Sequence, residues 1–341
     1  MSKYLCPVCN KKVSKTEVVT EEKMYGTKEK FIYNECENCK SLTINEIPPN
    51  LSEFYKNNYY SFTNLNPILR WILYHNHLIY FKNDFIGKIT KLFISPLGIW
   101  KIISELYKNK IINFNSEIID IGCGNGDFLY DLYNIGFRNL VGIDPYLENK
   151  SKRKEFTLYN NYSDIFSVEK KYDMIFLKDS LEHVDSPYEL MNNLKKILKK
   201  DGLIIISIPI KSENYWRWYN INWYQLDAPR HLTLFSLEGF KAFVKNLNLN
   251  IEKIQFDTNE FSFLISEDYV NDIPLSSKNS FSSNFSSINV FKRIYYRYMK
   301  KFNISIDKNK KYTFKNLTKI VQDLNKNNKG EHAIFILKKN K

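Results

Sequence analysis

Three glycines spaced two apart constrain this chain more than any other feature. Residues 117–130 read Glu-Ile-Ile-Asp-Ile-Gly-Cys-Gly-Asn-Gly-Asp-Phe-Leu-Tyr, and residues 139–146 read Asn-Leu-Val-Gly-Ile-Asp-Pro-Tyr. An apolar run enters Gly122, Gly124 and Gly126, a helical stretch follows, and a second apolar run ends in the acid Asp144. The pattern predicts strand, tight turn, helix and second strand, a layout suited to an adenosine-containing cofactor. Glycine lets the turn take positive φ and brings bare backbone against a ligand, and the following helix aims its amide N–H groups at the same place. Asp144, at the end of the second strand, is positioned to take both ribose hydroxyls.

The spacing is G-x-G-x-G and not the G-x-G-x-x-G of dinucleotide sites, so no pyrophosphate has to be cradled. On these residues the chain resembles the class I S-adenosylmethionine-dependent methyltransferases, whose first motif is D-x-G-x-G-x-G; Asp120, Gly122, Gly124 and Gly126 stand in register with it. The resemblance implies an α/β fold with a Rossmann-like seven-stranded sheet and S-adenosylmethionine as cofactor. It extends to Asp179-Ser-Leu-Glu-His183-Val-Asp-Ser-Pro187, which is similar to a fourth motif of the form D/N-x-x-x-H-V/I-x-x-P beside the transferred methyl group. Asp179 is thereby counted with the cofactor contacts. Asp164, in Asn161-Tyr-Ser-Asp164, falls where such enzymes contact the adenine.

A second, independent unit precedes this core. Cys6 and Cys9 form one C-x-x-C pair, and Cys36 and Cys39 repeat the spacing. Two such knuckles present four thiolates to one tetrahedral zinc, whose closed ligand set marks it as structural and a source of folding energy for a small segment. Residues 1–45 are therefore the expected zinc-binding unit, 46–114 a linker and helical subdomain, and 115–258 the core. Residues 259–330 are the expected insertion or lid, and 331–341 the final antiparallel strand. Pro48-Pro49 marks the first boundary, and apolar residues at three- and four-residue spacing between 67 and 107 predict helices. Their aromatics, mixed with Lys and Arg, would also suit peripheral contact with a membrane surface. In the tyrosine-rich stretch after the prolines, methyltransferases with N-terminal cysteine clusters resemble this chain, which makes Tyr59 and Tyr60 candidates for closing over the cofactor.

Composition limits the partners. The chain of 341 residues carries a formal charge of +13, but the excess is lysine spread through a sequence rich in Lys, Asn and Ile. That dispersal points to a solvated basic surface, not to a nucleic-acid groove. Five cysteines, one of them inside the glycine turn, fit a reducing cytoplasm better than a disulfide framework. No apolar signal segment opens the chain, and no apolar run is long enough to span a bilayer.

The acceptor side is written in residues 214–236, where three of the five tryptophans lie in a stretch without a clean helical or strand period. Such a loop would line an acceptor pocket with flat aromatic faces. Its end, Trp223-x-x-Leu226-x-x-Pro229-Arg230-His231-Leu232-x-x-Phe235-Ser236, resembles a signature of methyltransferases found with surface-polysaccharide genes. The implied function is O-methylation of a sugar or glycan precursor, nucleotide- or lipid-linked, with His183 and His231 as candidate bases. Sugar C-methyltransferases of similar build carry Glu-His where this chain has Arg230-His231, so Arg230 is read as a clamp for a phosphate or carboxylate on the acceptor. The competing readings are an RNA methyltransferase gripping phosphates with its zinc unit and basic surface, a sugar C-methyltransferase, and a non-catalytic scaffold that kept the fold.

Overall fold

The computed structural model describes residues 4–55, 98–147, 155–166, 169–280, 304–307, 310–312 and 314–340, with positions 71, 74, 75, 77–79, 81 and 85. At its centre is a seven-stranded sheet. Its strands are β6 (Glu117–Ile121), β7 (Asn139–Ile143), β8 (Thr157–Tyr159), β9 (Tyr172–Lys178), β10 (Leu198–Pro209), β12 (Leu249–Phe256) and β15 (His332–Lys339). They lie in the order β12-β15-β10-β9-β6-β7-β8. All neighbours from β10 to β8 pair in parallel, and β15 runs antiparallel to both β10 and β12. This is the expected methyltransferase sheet, with the last strand reversed as expected.

Alternation along the strands explains why the sheet is buried on both faces. Ile119, Ile121, Ile175, Leu177, Ile204 and Ile206 pack on one side, and Ile118, Met174, Phe176, Leu203 and Ile205 on the other. Helix Gly98–Lys108 covers the second face with Ile99, Trp100 and Ile103, beside Leu129 and Leu132 of helix Asp127–Ile135. Helices Pro187–Ile197 and Leu237–Asn246 cover the first. Helix Pro187–Ile197 stops at Ile197, and β10 begins at Leu198, already paired with Tyr172. Lys199-Lys200-Asp201-Gly202 reads as a helix end and turn because an irregularity between Leu198 and Leu203 interrupts the apolar alternation there.

Two short pairs, β1 (Tyr4–Leu5) with β2 (Lys12–Val13) and β13 (Ile304–Asp307) with β14 (Lys310–Tyr312), stand apart, and the N-terminal unit folds around a four-stranded sheet of β3 (Lys15–Glu21), β4 (Lys30–Cys36), β5 (Leu42–Ile44) and β11 (Thr233–Leu234), in the order β11-β5-β4-β3. Its outermost strand, β11 (Thr233–Leu234), comes from the far end of the tryptophan-rich stretch. The unit therefore shares a sheet with the core, and its cysteines lie in the same apolar cluster as Phe240, Phe243 and Leu190.

The tryptophan-rich stretch is not an open loop. It forms helix Glu213–Tyr219 and two single turns of tighter helix, Asn220–Asn222 and Tyr224–Leu226. Tyr215, Tyr219 and Trp223 join Phe31, Tyr33, Leu42 and Phe263 in a third apolar cluster, completed by Leu317 and Val321 of helix Phe314–Lys326. Because this segment is packed by the N-terminal sheet, by helix Glu260–Val270 and by helix Phe314–Lys326, apolar residues surround it and no amphipathic period survives.

Candidate active site

The cofactor side is built by the glycine turn. Gly122, Gly124 and Gly126 have φ of 76°, 54° and 82°. At Gly122 a Cβ would lie 2.5 Å from the Cβ of Ser180, so only glycine allows the loop after β9 to close against the turn. The turn hangs from β7: the N–H groups of Gly122 and Cys123 both donate to the Ile143 carbonyl, at 2.7 and 3.0 Å. Asp144 ties the two motifs together, its Oδ2 accepting from the Gly124 N–H at 2.8 Å and its Oδ1 from the Tyr146 N–H at 2.9 Å. Burial raises its carboxyl, and those two donors hold it back toward the charged form.

Asp120 sits beneath the turn at 2% exposure. Burial, reinforced by Asp144 and Asp179 and opposed by Lys178, pushes its carboxyl up to about 7, and its Oδ1 has no hydrogen-bond partner among the described residues. Asp164 lies on the short helix Ser163–Phe166 just beyond β8, half-buried. Tyr59 and Tyr60 lie outside the described residues. Their neighbour Tyr55 does reach the site: its ring stacks on Tyr146 at 4.6 Å and its hydroxyl lies 3.0 Å from His183 Nδ1.

The acceptor side begins where β9 ends. Asp179 takes φ of 51°, unusual for a residue with a Cβ, while its N–H donates to Ser207. Its carboxylate meets His332 Nε2 at 2.7 Å, across the sheet on β15. Burial works against both charges. The pairing overrides it, holding the Asp179 carboxyl down at about 2 and lifting His332 to about 9. Sequence reasoning placed His332 in the final strand without noticing that β15 delivers it to this edge.

His183 follows on a single turn of tight helix, Leu181–His183. Its Nδ1 lies 2.8 Å from the Arg230 carbonyl, and His231 Nδ1 lies 2.7 Å from the Gln225 carbonyl. A carbonyl only accepts, so each Nδ1 carries the proton and each Nε2 keeps a lone pair. Burial holds both imidazoles below their ordinary pKa, which keeps them neutral. The two rings meet edge to face with centroids 4.7 Å apart. Glu182, 1% exposed, stands with them, and neither of its carboxylate oxygens has a hydrogen-bond partner among the described residues. One donor atom from each of Glu182, His183 and His231 lies within 4.8 Å of the others.

Arg230 has different partners from those an acceptor clamp needs. It is fully buried, and its guanidinium contacts Asp227 at 2.6 Å and Glu22 at 3.2 Å, with a further bond to the Phe54 carbonyl. The chain thus uses Arg230 to fasten the His231 loop to the N-terminal unit. Tyr33 does the same through its hydroxyl, which donates to the His231 carbonyl at 2.8 Å.

The four N-terminal cysteines converge as their spacing requires. Cys6 and Cys39 are 3.8 Å apart at sulfur, as are Cys9 and Cys36, and none is in a disulfide. A tetrahedron of Zn–S bonds near 2.3 Å has an edge of about 3.8 Å, so the donor set fits zinc. The Val8 and Cys39 N–H groups point at Cys6 and Cys36 sulfurs, as expected for thiolates.

Comparison with known proteins agrees with this geometry. Residues 99–254 match the family described as "Methyltransferase domain". A ubiquinone biosynthesis O-methyltransferase of Rickettsia bellii is 25% identical over 192 residues, covering 51% of this chain and 80% of that protein. A tRNA U34 carboxymethyltransferase of Campylobacter lari is 26% identical over 132 residues, covering 35% of this chain and 44% of that protein. A solved S-adenosylmethionine-dependent methyltransferase from Archaeoglobus fulgidus is 18% identical, covering 75% of this chain and 100% of that one, with a TM-score of 0.41. Neither of the two named relatives carries a sugar or polysaccharide acceptor in its name. Residues 99–254 thus carry a methyltransferase domain, with the D-x-G-x-G-x-G turn, the acid at the end of the second strand and the seven-stranded sheet in place.

Proposed function

We propose that the chain O-methylates a hydroxylated small molecule, with a sugar or glycan precursor as the acceptor class suggested by the Trp223-to-Ser236 signature. The observation that carries this reading is the pair of neutral imidazoles, His183 and His231, set against the glycine turn through the Ser180–Gly122 contact. S-adenosylmethionine supplies a methyl group on a sulfonium, which needs no further activation. The protein's part is to hold the cofactor by Asp144 and the turn, and to promote loss of the acceptor's hydroxyl proton at the Nε2 lone pairs. As the O–CH3 bond forms, the S–CH3 bond breaks and its electron pair passes to sulfur. Arg230, sealed in its own ion pairs, replaces the Glu that carbanion chemistry would use, which favours oxygen over carbon as the methylated atom.

Two variants test this. His231→Gln should lower turnover by about 10²–10⁴-fold, the range for a lost proton-transfer group, while S-adenosylmethionine binding measured by calorimetry stays within about threefold. Full activity in both His183→Gln and His231→Gln would remove the cluster from the mechanism. The tRNA relative makes an RNA acceptor the second reading, and it requires RNA affinity that falls steeply with salt.

The four cysteines are proposed to hold a structural zinc, and with all five thiols free the protein fits a reducing compartment such as the cytoplasm. Among the described residues no helix is long and apolar enough to cross a membrane.

A further inference from the structure

The geometry points to a divalent metal site formed by Glu182, His183 and His231, separate from the four-cysteine cluster and placed to ligate the acceptor hydroxyl. The two imidazoles are already in the state a metal ion needs. Both imidazoles are anchored through Nδ1–H to backbone carbonyls, at 2.8 and 2.7 Å, which leaves Nε2 as the free donor. Histidines that bind metals are held in this way, the second nitrogen fixing ring and tautomer. Glu182 brings the one carboxylate in the group. Buried to 1% exposure, it has neither oxygen bonded to another described residue; burial raises its carboxyl well above the usual range, so the group is neutral without a cation and would give up its proton on ligating one.

The dimensions are close to what is required. One ring nitrogen of each histidine and a Glu182 oxygen lie within 4.8 Å of one another. Bonds of about 2.0–2.2 Å bring donors to about 4.3 Å or less, so side-chain shifts below about 1 Å close the site. Two imidazoles and one carboxylate suit a first-row divalent ion, and three protein ligands leave positions open for a substrate oxygen. Tetrathiolate sites fill every position and have no such opening.

The local backbone holds the cluster in place from both sides. The Leu232 N–H donates to the Glu182 carbonyl at 2.8 Å, and the Leu232 carbonyl accepts from Ile44 at 2.9 Å, so Glu182, Leu232 next to His231, and β5 form one hydrogen-bonded stack. Tyr55 adds a second contact to His183 Nδ1 at 3.0 Å. Of the charged groups facing the cluster, the Asp227 carboxylate 3.8 Å from His231 Nε2 is taken up by Arg230, and Asp179 by His332, with Lys178 beside it.

This inference rests on the O-methylation reading and, with metal bound, replaces proton transfer to the imidazoles: their Nε2 lone pairs then hold the ion, and the ion activates the acceptor. Coordination acidifies a hydroxyl, its proton leaves to solvent, and the oxygen lone pair then forms the O–CH3 bond while the S–CH3 pair goes to sulfur. The acceptor class is accordingly one whose methylated hydroxyl can reach a cation, such as a vicinal diol or an enediol-type oxygen pair.

Mn2+ is the probe, because it prefers nitrogen and oxygen donors over the tetrathiolate set. On zinc-loaded protein, electron paramagnetic resonance of free Mn2+ should show one ion bound per chain. Glu182→Gln and His231→Gln should each weaken binding by about 10–100-fold. Binding of S-adenosylhomocysteine to the same samples is measured alongside by calorimetry. Wild-type protein that binds S-adenosylhomocysteine but takes up neither Mn2+ nor any metal beyond one zinc per chain would overturn the metal site and leave the methyltransferase reading intact. Mn2+ uptake lost in Glu182→Gln, in protein that binds no S-adenosylhomocysteine, would support the metal site and sink the cofactor reading.

Discussion

The two sides of the active site are built in opposite ways. The cofactor side comes from one continuous stretch: Gly122 and Cys123 bond to Ile143, Gly124 bonds to Asp144, and all of them lie within 23 positions of one another, from 122 to 144. The acceptor side is assembled from distant parts. His231 is fixed by Tyr33 across 198 positions, Arg230 by Glu22 across 208, and Asp179 by His332 across 153. Local construction makes the cofactor side independent of the N-terminal unit, whereas the acceptor side needs that unit to be folded. The four-cysteine unit therefore buttresses the acceptor side, and damage to it should separate binding from turnover.

The largest expected effect comes from Arg230→Met. Glu22 and the guanidinium are both fully buried, and removing one member of such a pair leaves charge uncompensated at about 3–5 kcal/mol. Glu22 keeps N–H donors from Tyr25 and Thr27, but Asp227 loses both of its bonds to the guanidinium, so the loss should be about 3–5 kcal/mol by chemical denaturation. A loss under about 1 kcal/mol would mean the N-terminal unit is not coupled to the His231 loop.

Cys36→Ser, or zinc chelation, addresses the same coupling through function. With the tetrathiolate opened, β4 loses its anchor, and Tyr33 on that strand releases the His231 carbonyl. Turnover should drop about 100-fold or more while affinity for S-adenosylmethionine changes less than about threefold. Equal losses in both would erase the contrast between the two sides. Asp144→Asn tests the opposite arm: its hydrogen bonds to Gly124 and Tyr146 hold the turn, and cofactor affinity should fall about 10-fold with little change in stability.

What the sequence made legible follows the same division. Asp120, the three glycines and Asp144 could be read because their spacing alone forces the turn, and the sheet because its strands are unbroken apolar runs. Arg230 could be seen as a motif residue but not as a buried strut, since Glu22 and Asp227 are acids like any others until the fold brings them to it. Glu182 was overlooked beside His183, because a glutamate in a short turn reads as solvent-facing, and only burial to 1% shows otherwise. His332 was hidden in the last strand: the antiparallel reversal of β15 that pairs it with Pro209 also carries it to Asp179. The tryptophans misled in the other direction. Trp223, 1% exposed with its Nε1–H on Glu331 at 2.8 Å, packs in the core that supports the site, while Trp216 and Trp218 are only partly buried.

The smallest predicted effect is a pH dependence confined to the acceptor side. His332 is raised from 6.5 to about 9 in the folded state, so its contribution is complete below 6.5 and is lost as pH rises through about 9. Asp179 is lowered from 3.8 to about 2, so its share is present above 3.8 and is lost as pH falls through about 2. Between those limits the pair should contribute steadily, and above pH 7 it should weaken. Asp179 is 42% exposed, and solvent screening keeps the amount to about 1 kcal/mol or less. In thermal melts from pH 6 to 9, His332→Gln should flatten the decline in Tm seen in the wild type, whereas a substitution on the cofactor side such as Asp144→Asn should leave that slope unchanged. An identical slope in wild type and His332→Gln would show that the ion pair joining β9 to β15 does not supply the stability that its 2.7 Å contact implies.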